Sequence, residues 1–193
     1  MRKPCSAYHK REGNKEDISV GSYYSHEPNY EKTVVYQGLT FYTNRVFLQG
    51  RKGLVQIEKQ DSANASFWKD NIFLELREDW TVNGTTYKSG SLITAPLKPW
   101  LKGKKKIDVL FEPTESTSLS YFTTTKDYLI LATLDHVKSK IKVLAPSKKQ
   151  WTEVKINGIP EFGRLRLTPA DSYNSNDYWL TVRDFITPDS LYM

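Results

Sequence analysis

Three stretches of this chain read as strands with nearly the same words, and in one of them, around ILAT, the residues are apolar at almost every position, where a strand with one wet face would be apolar at every second one. NIFLELRE begins at Asn71, DYLILATL at Asp127 and DYWLTVRD at Asp177. Each passes from a polar entry through an apolar run to a charged or polar turn. Each is followed by a second strand-like segment: SGSLITAPL, SKIKVLAP and DSLYM. A strand that is apolar on both sides has to be covered on both faces. The three starts lie 56 and 50 residues apart. A strand-built repeat near this period is the sequence sign of a β-propeller, in which each blade is sandwiched between two others.

The expected fold class is therefore all-β: a partial β-propeller of about three and a half four-stranded antiparallel blades. The expected blades span 17–59, 62–111, 116–156 and 162–193, the last of them incomplete. Together they make one propeller unit over 17–193, preceded by a flexible basic segment at 1–16. The second blade is read as ASFW, NIFLELRE, TYKSGSLITA and KIDVLF, and the first as DISVGSYYS, TVVYQGLTFY, NRVFLQG and GLVQIEK. Aromatic residues make up 13% of the chain, with 12 Tyr, which favours strands over helices. No window carries a sustained helical stripe. Asn83-Gly84 sits where a tight hairpin needs two residues at positive φ. Most of the prolines between residues 28 and 188 fall between the expected strands, where a missing N–H costs nothing.

These same residues carry a family resemblance. LELREDWTVNGTTYKSGSL, VLFEPTESTSLSYFTTTKDYLILATLDHVKSKIKVL and SNDYWLTVRDFITPDSLYM resemble, in order, the propeller domain of the prolyl oligopeptidase family of serine peptidases. DISV at Asp17 and LTFYTNRVFL at Leu39 are similar to the segment just upstream. The likest members are bacterial. The resemblance implies a seven-bladed propeller coupled to an α/β-hydrolase domain that holds a Ser-Asp-His triad. In that family the propeller caps the active site, and its central tunnel restricts entry to short peptides.

A hydrolase serine needs a glycine-rich strand-to-helix elbow to expose its Oγ. The chain has no G-x-S-x-G; Gly21-Ser22 and Gly90-Ser91 lack the second glycine. No catalytic residue of the family carries over, and the chain reads as a fragment with no hydrolytic activity of its own. The parent activity would be serine-type endopeptidase hydrolysis of peptides. The expected partners are the hydrolase domain of that parent and, in the intact enzyme, peptides. Self-association through bare blade faces is a further expectation. The alternatives are a stand-alone propeller module for protein interactions, and an anion or nucleic-acid binder through Lys98–Lys106.

The net charge of +6 is what raises that last alternative. The one dense cluster is Lys102-Gly103-Lys104-Lys105-Lys106, beside Trp100. A basic run next to an aromatic can grip a phosphate backbone, although a solvated loop between strands explains it as well.

Cys5 and His9 make at most half of a zinc site, with His26 as the one further candidate, so no metal or cofactor is expected. Asp135-His136 is read as a turn, since neighbours on a strand point apart. Asp79, Glu112, Asp135 and Asp184 sit near strand ends, where a glycosidase would need two of them facing across a sugar; turns account for them equally. Among the five tryptophans, Trp179 is expected in the core. Trp80 and Trp100 are candidates to contact a partner domain, or else to pack between blades. The sequence as written shows neither an apolar signal segment nor a membrane-length run, and a cytoplasmic setting is the expectation.

Overall fold

The computed structural model describes residues 16–136, 138–147, 150–156, 158–160, 163–184 and 188–193. The Cys5–His9 pair and nearly all of the basic segment 1–16 lie outside the described residues. Four antiparallel sheets follow one another along the chain. The first holds β1 (Ser19–Ser25), β2 (Lys32–Gly38), β3 (Asn44–Gly50) and β4 (Gly53–Gln56). The second holds β5 (Asn64–Trp68), β6 (Asn71–Glu75), β9 (Leu92–Pro96) and β10 (Asp108–Phe111). A separate two-stranded hairpin, β7 (Trp80–Val82) and β8 (Thr85–Tyr87), is inserted between β6 and β9. The third sheet holds β11 (Thr117–Thr124), β12 (Leu129–Asp135), β13 (Lys138–Pro146) and β14 (Trp151–Val154). The fourth holds β15 (Arg164–Pro169), β16 (Tyr178–Arg183) and β17 (Ser190–Tyr192). Within each sheet the strands stand side by side in chain order, the meander of a propeller blade.

The two-sided apolar strands are explained by how these sheets stack. Ile72 and Leu74 of β6 pack against Val34, Val46 and Leu48 of the first sheet. Phe73, between them in sequence, points the other way and meets Leu129 and Leu131 of β12. Ile130 and Val143 turn in their own right to Leu165, Leu167 and Leu180 of the fourth sheet. Successive strand residues face opposite sides, so a central blade needs apolar side chains at every position. The architecture is all-β, an arc of propeller blades with three complete four-stranded sheets and one of three strands.

Three local readings are corrected. TYKSGSLITA is not one strand. Gly90 adopts φ +82°, and its N–H donates to the Leu76 carbonyl at 2.7 Å while the Leu76 N–H donates to Ser91 at 2.9 Å. The chain turns there, and Thr85–Tyr87 is left to the inserted hairpin. TVVYQGLTFY likewise ends as a strand at Gly38. The Thr40 hydroxyl accepts the N–H groups of Tyr42 and Thr43 and bends the chain. Trp179, expected in the core, is 40% exposed. It stands on the face of β16 opposite Leu180, the face turned away from the third sheet. The Asn83-Gly84 turn has φ of 52° and 77°, as the β7–β8 hairpin requires.

Candidate interdomain surface

Trp100 ends α1 (Leu97–Trp100), a single helical turn that leaves β9. It is only 3% exposed and belongs to the core between the first two sheets. Its indole N–H donates to the Glu58 carbonyl at 3.2 Å. Trp80 opens the inserted hairpin, half-buried, with its ring centroid 6.1 Å from that of Trp100. Trp100 is therefore spent inside this chain, and of the two only Trp80 keeps ring surface for a partner.

Lys105 closes the same cluster. Its ammonium lies 5.7 Å from the Trp80 ring centroid and 5.6 Å from that of Trp100, and 2.5 Å from Glu58 Oε1. An ammonium over two indole faces with a carboxylate beside it is satisfied. Lys98 is paired too, with Asp70 at 2.8 Å. The lysine run is thus not a uniform cationic strip: Lys98 and Lys105 are tied down, and Lys102, Lys104 and Lys106 are exposed.

A second feature is not among the expectations above. The turns joining the first and second strands of successive sheets are linked in a row. The Lys69 N–H donates to the buried Glu27 carboxylate at 2.8 Å, joining the first sheet to the second. The Lys69 ammonium reaches Asp127 of the third sheet at 3.2 Å. Asn176 of the fourth sheet donates to Asp127 at 3.0 Å and accepts the Asp127 N–H at 2.9 Å and the buried Thr125 hydroxyl at 3.0 Å. The Asn176 amide, and after it Lys69, hold the Asp127 carboxyl below the usual carboxylate range. The sequence trace of this row is Lys-Asp or Asn-Asp at the head of the second strand: Lys69-Asp70, Lys126-Asp127 and Asn176-Asp177.

The other candidates resolve locally. Asp79 accepts the Ser89 N–H at 2.8 Å, Glu112 pairs with Lys88 at 2.8 Å, and Asp135 pairs with Lys140 at 2.6 Å. His136 sits in the β12–β13 turn with φ 54° and donates its N–H to Ser116. His26 stacks edge-on against Tyr24. Among the described residues, no three His, Cys, Asp or Glu side chains gather as a metal site would need. Asp184 and His136 line a cavity of about 1510 Å³ between the third and fourth sheets.

Comparison with known proteins gives the following. No family model matches the chain. It is 29% identical over 136 residues to an uncharacterized peptidase of Rickettsia prowazekii, covering 69% of this chain and 19% of that protein. It is 27% identical over 191 residues to an uncharacterized peptidase of Sinorhizobium fredii, covering 93% and 26%. The chain thus spans about a quarter or less of the curated relatives it matches. Among solved structures, a post-proline cleaving enzyme from Rickettsia typhi superposes with a TM-score of 0.81 at 24% identity, over 92% of this chain and 27% of that one. A prolyl endopeptidase superposes with a TM-score of 0.58 at 16% identity, over 90% and 24%. The resemblance to the prolyl oligopeptidase family carried by the strand motifs agrees with these findings: the curated relatives are peptidases, and the solved structures are a post-proline cleaving enzyme and a prolyl endopeptidase.

Proposed function

We propose that this chain is the propeller portion of a prolyl oligopeptidase-like serine peptidase, non-catalytic in itself, which covers the active site of an α/β-hydrolase domain and limits entry to short peptides. On this reading residues 17–193 form a single propeller unit whose four sheets are consecutive blades. The observation that carries it is the superposition over 92% of this chain on only 27% of a post-proline cleaving enzyme, by a fold built mainly of blade-like sheets. The missing nucleophile elbow supports it: the 193 residues contain no G-x-S-x-G. The half-exposed Trp80 is the residue we assign to the hydrolase contact.

The test is the genomic DNA on either side of the reading frame. An adjoining in-frame or immediately neighbouring sequence that encodes a glycine-rich serine elbow, with an aspartate and a histidine after it, is the expected result. Complete, unrelated genes on both sides would contradict the reading.

A further inference from the structure

A cavity of about 580 Å³ opens between the first and second sheets, within the roughly 300–1,000 Å³ of clefts that hold ligands. One wall is the face of the first sheet that Val34 and Val46 turn to the second. Tyr36 and Asn44 stand on that face, two residues along β2 and β3 from those valines. Small residues leave the space: Ser19 pairs with Gly38, and Gly21 with Tyr36. A side chain at Gly21 would run into the Tyr36 ring, so that ring lies across β1. The mouth of the cavity is the β2–β3 turn. The Leu39 N–H donates to the Thr43 carbonyl at 2.9 Å, and the Thr40 and Thr43 hydroxyls bond each other at 2.7 Å. This fixed turn presents Phe41 at 92% and Tyr42 at 74% exposure. Exposed apolar side chains scattered singly are ordinary. Here Tyr36, Phe41 and Tyr42 surround one cavity, and a contiguous patch of that kind marks a binding surface.

The polar groups around these rings can all donate. Among the described residues no carboxylate lines the cavity, and Arg77 is its one charge. The side chains of Tyr36, Tyr42, Asn44 and Arg77 have no hydrogen-bond or ion-pair partner among the described residues. Each carries at least one N–H or O–H. A polyproline-II segment is the complement of such a wall. It makes no internal hydrogen bonds, its carbonyls face outward as acceptors, and its prolines have no N–H to satisfy. Its rings seat in aromatic-lined grooves, and its low conformational freedom keeps the cost of ordering small. The length fits too. Ser19 and Tyr23, both lining the cavity, lie about 14 Å apart along β1 at ~3.4 Å per residue. That is room for about four residues at ~3.1 Å each.

We infer that this cavity binds a proline-rich segment of a partner protein in the polyproline-II conformation, its prolines against Tyr36, Phe41 and Tyr42 and a flanking carboxylate on Arg77. The inference goes beyond the propeller reading and stands whether or not the chain is part of a peptidase.

The experiment uses the 193-residue chain and three fluorescein-labelled, C-terminally amidated peptides of equal length, read by fluorescence anisotropy. One is polyproline ending in Glu, one is polyproline ending in Lys, and one is a Gly-Ser repeat ending in Glu. The proline peptide ending in Glu is expected to bind at least tenfold more tightly than the Gly-Ser peptide, and about threefold more tightly than its Lys counterpart. R77E is expected to reverse the preference between Glu and Lys. F41S/Y42S, at exposed turn positions, is expected to lose tenfold or more. Tyr36→Phe, which removes a single hydroxyl, should lose about threefold. K102E/K104E, in the lysine loop, should leave binding unchanged. Circular dichroism checks that each variant is folded. Equal affinity for the proline and Gly-Ser peptides, or full binding by folded F41S/Y42S, would overturn the inference. So would a dimer by light scattering that F41S/Y42S abolishes and the proline peptide does not displace, because a second copy would then cover the rings. None of these failures touches the gene-neighbourhood test above, so the two readings fail separately.

Discussion

Lys59 sits in the link between the first and second sheets, where burial pushes its ammonium down to about 8 from the usual 10.5. It donates to the Asn44 and Gln60 carbonyls at 2.7 and 3.0 Å, which only partly replaces lost water. The folded chain therefore holds fewer protons than the unfolded chain between pH 8 and 10.5. Stability rises with pH through that window, is fully gained above about 10.5, and is lost as pH falls through about 8. Relative to Lys59→Met, the wild-type chain should gain on the order of 1–2 kcal/mol across it, once the water still reaching the group is allowed for. Urea unfolding of both proteins at pH 7.5, 9 and 10 measures this. Comparison with the variant cancels Tyr23, whose hydroxyl burial holds above its ordinary value and which acts in the opposite sense above pH 10. The role of Lys105 over two tryptophans was not legible, because a lysine run reads alike whether its members are solvated or stacked. Arg164-Leu165-Arg166-Leu167 did carry a signal: alternation of charge and leucine marks a strand with one face buried and one bare.

At the scale of the element, β12 shows why the strands were readable. Leu129, Ile130, Leu131 and Ala132 are all buried, and a run with no polar face has no helical or half-wet strand to compete with it. Leu131→Ala removes a side chain held between the second and third sheets and should cost about 2–5 kcal/mol in denaturant unfolding. What the pattern did not give was the break at Gly90, where a polar turn and a strand were run together. Nor did it give the row of turn contacts, which joins residues 42 to 58 positions apart. Asn176→Ala strips the side-chain hydrogen bonds that link the third and fourth sheets at this turn and leaves the buried Thr125 hydroxyl without that acceptor. A loss of about 1–2 kcal/mol is expected, with hydrogen exchange rising first in β15 and β16. Unchanged stability would mean that the apolar contact between these sheets holds them without the turns.

For the whole molecule, stacking covers the inner sheets on both faces and leaves a different surface at the fourth. Its outward face carries Arg164, Arg166, Trp179 and Leu191, the last two 40% and 63% exposed. Exposed apolar groups beside an unpaired edge drive association, while the arginines oppose it. Self-association should therefore increase with salt, as screening removes the repulsion. Trp179→Ser with Leu191→Ser should reduce it. A chain that stays monomeric by light scattering at high concentration and high salt, with no uptake of a hydrophobic dye, would contradict this.

We propose that these sheets shape and cover the active site of a peptidase without performing its chemistry. Acyl transfer needs a nucleophile, a base, a group to orient the base, and oxyanion donors around the nucleophile turn. His136 is held in a β-turn and His26 against Tyr24, and no serine stands in a glycine-rich elbow. The direct measurement is to incubate the purified chain with a serine-directed phosphonate probe and, in parallel, a chromogenic proline peptide. No labelling and no hydrolysis above buffer are expected. Stoichiometric labelling of one serine, with turnover abolished by replacing that serine with alanine, would contradict it.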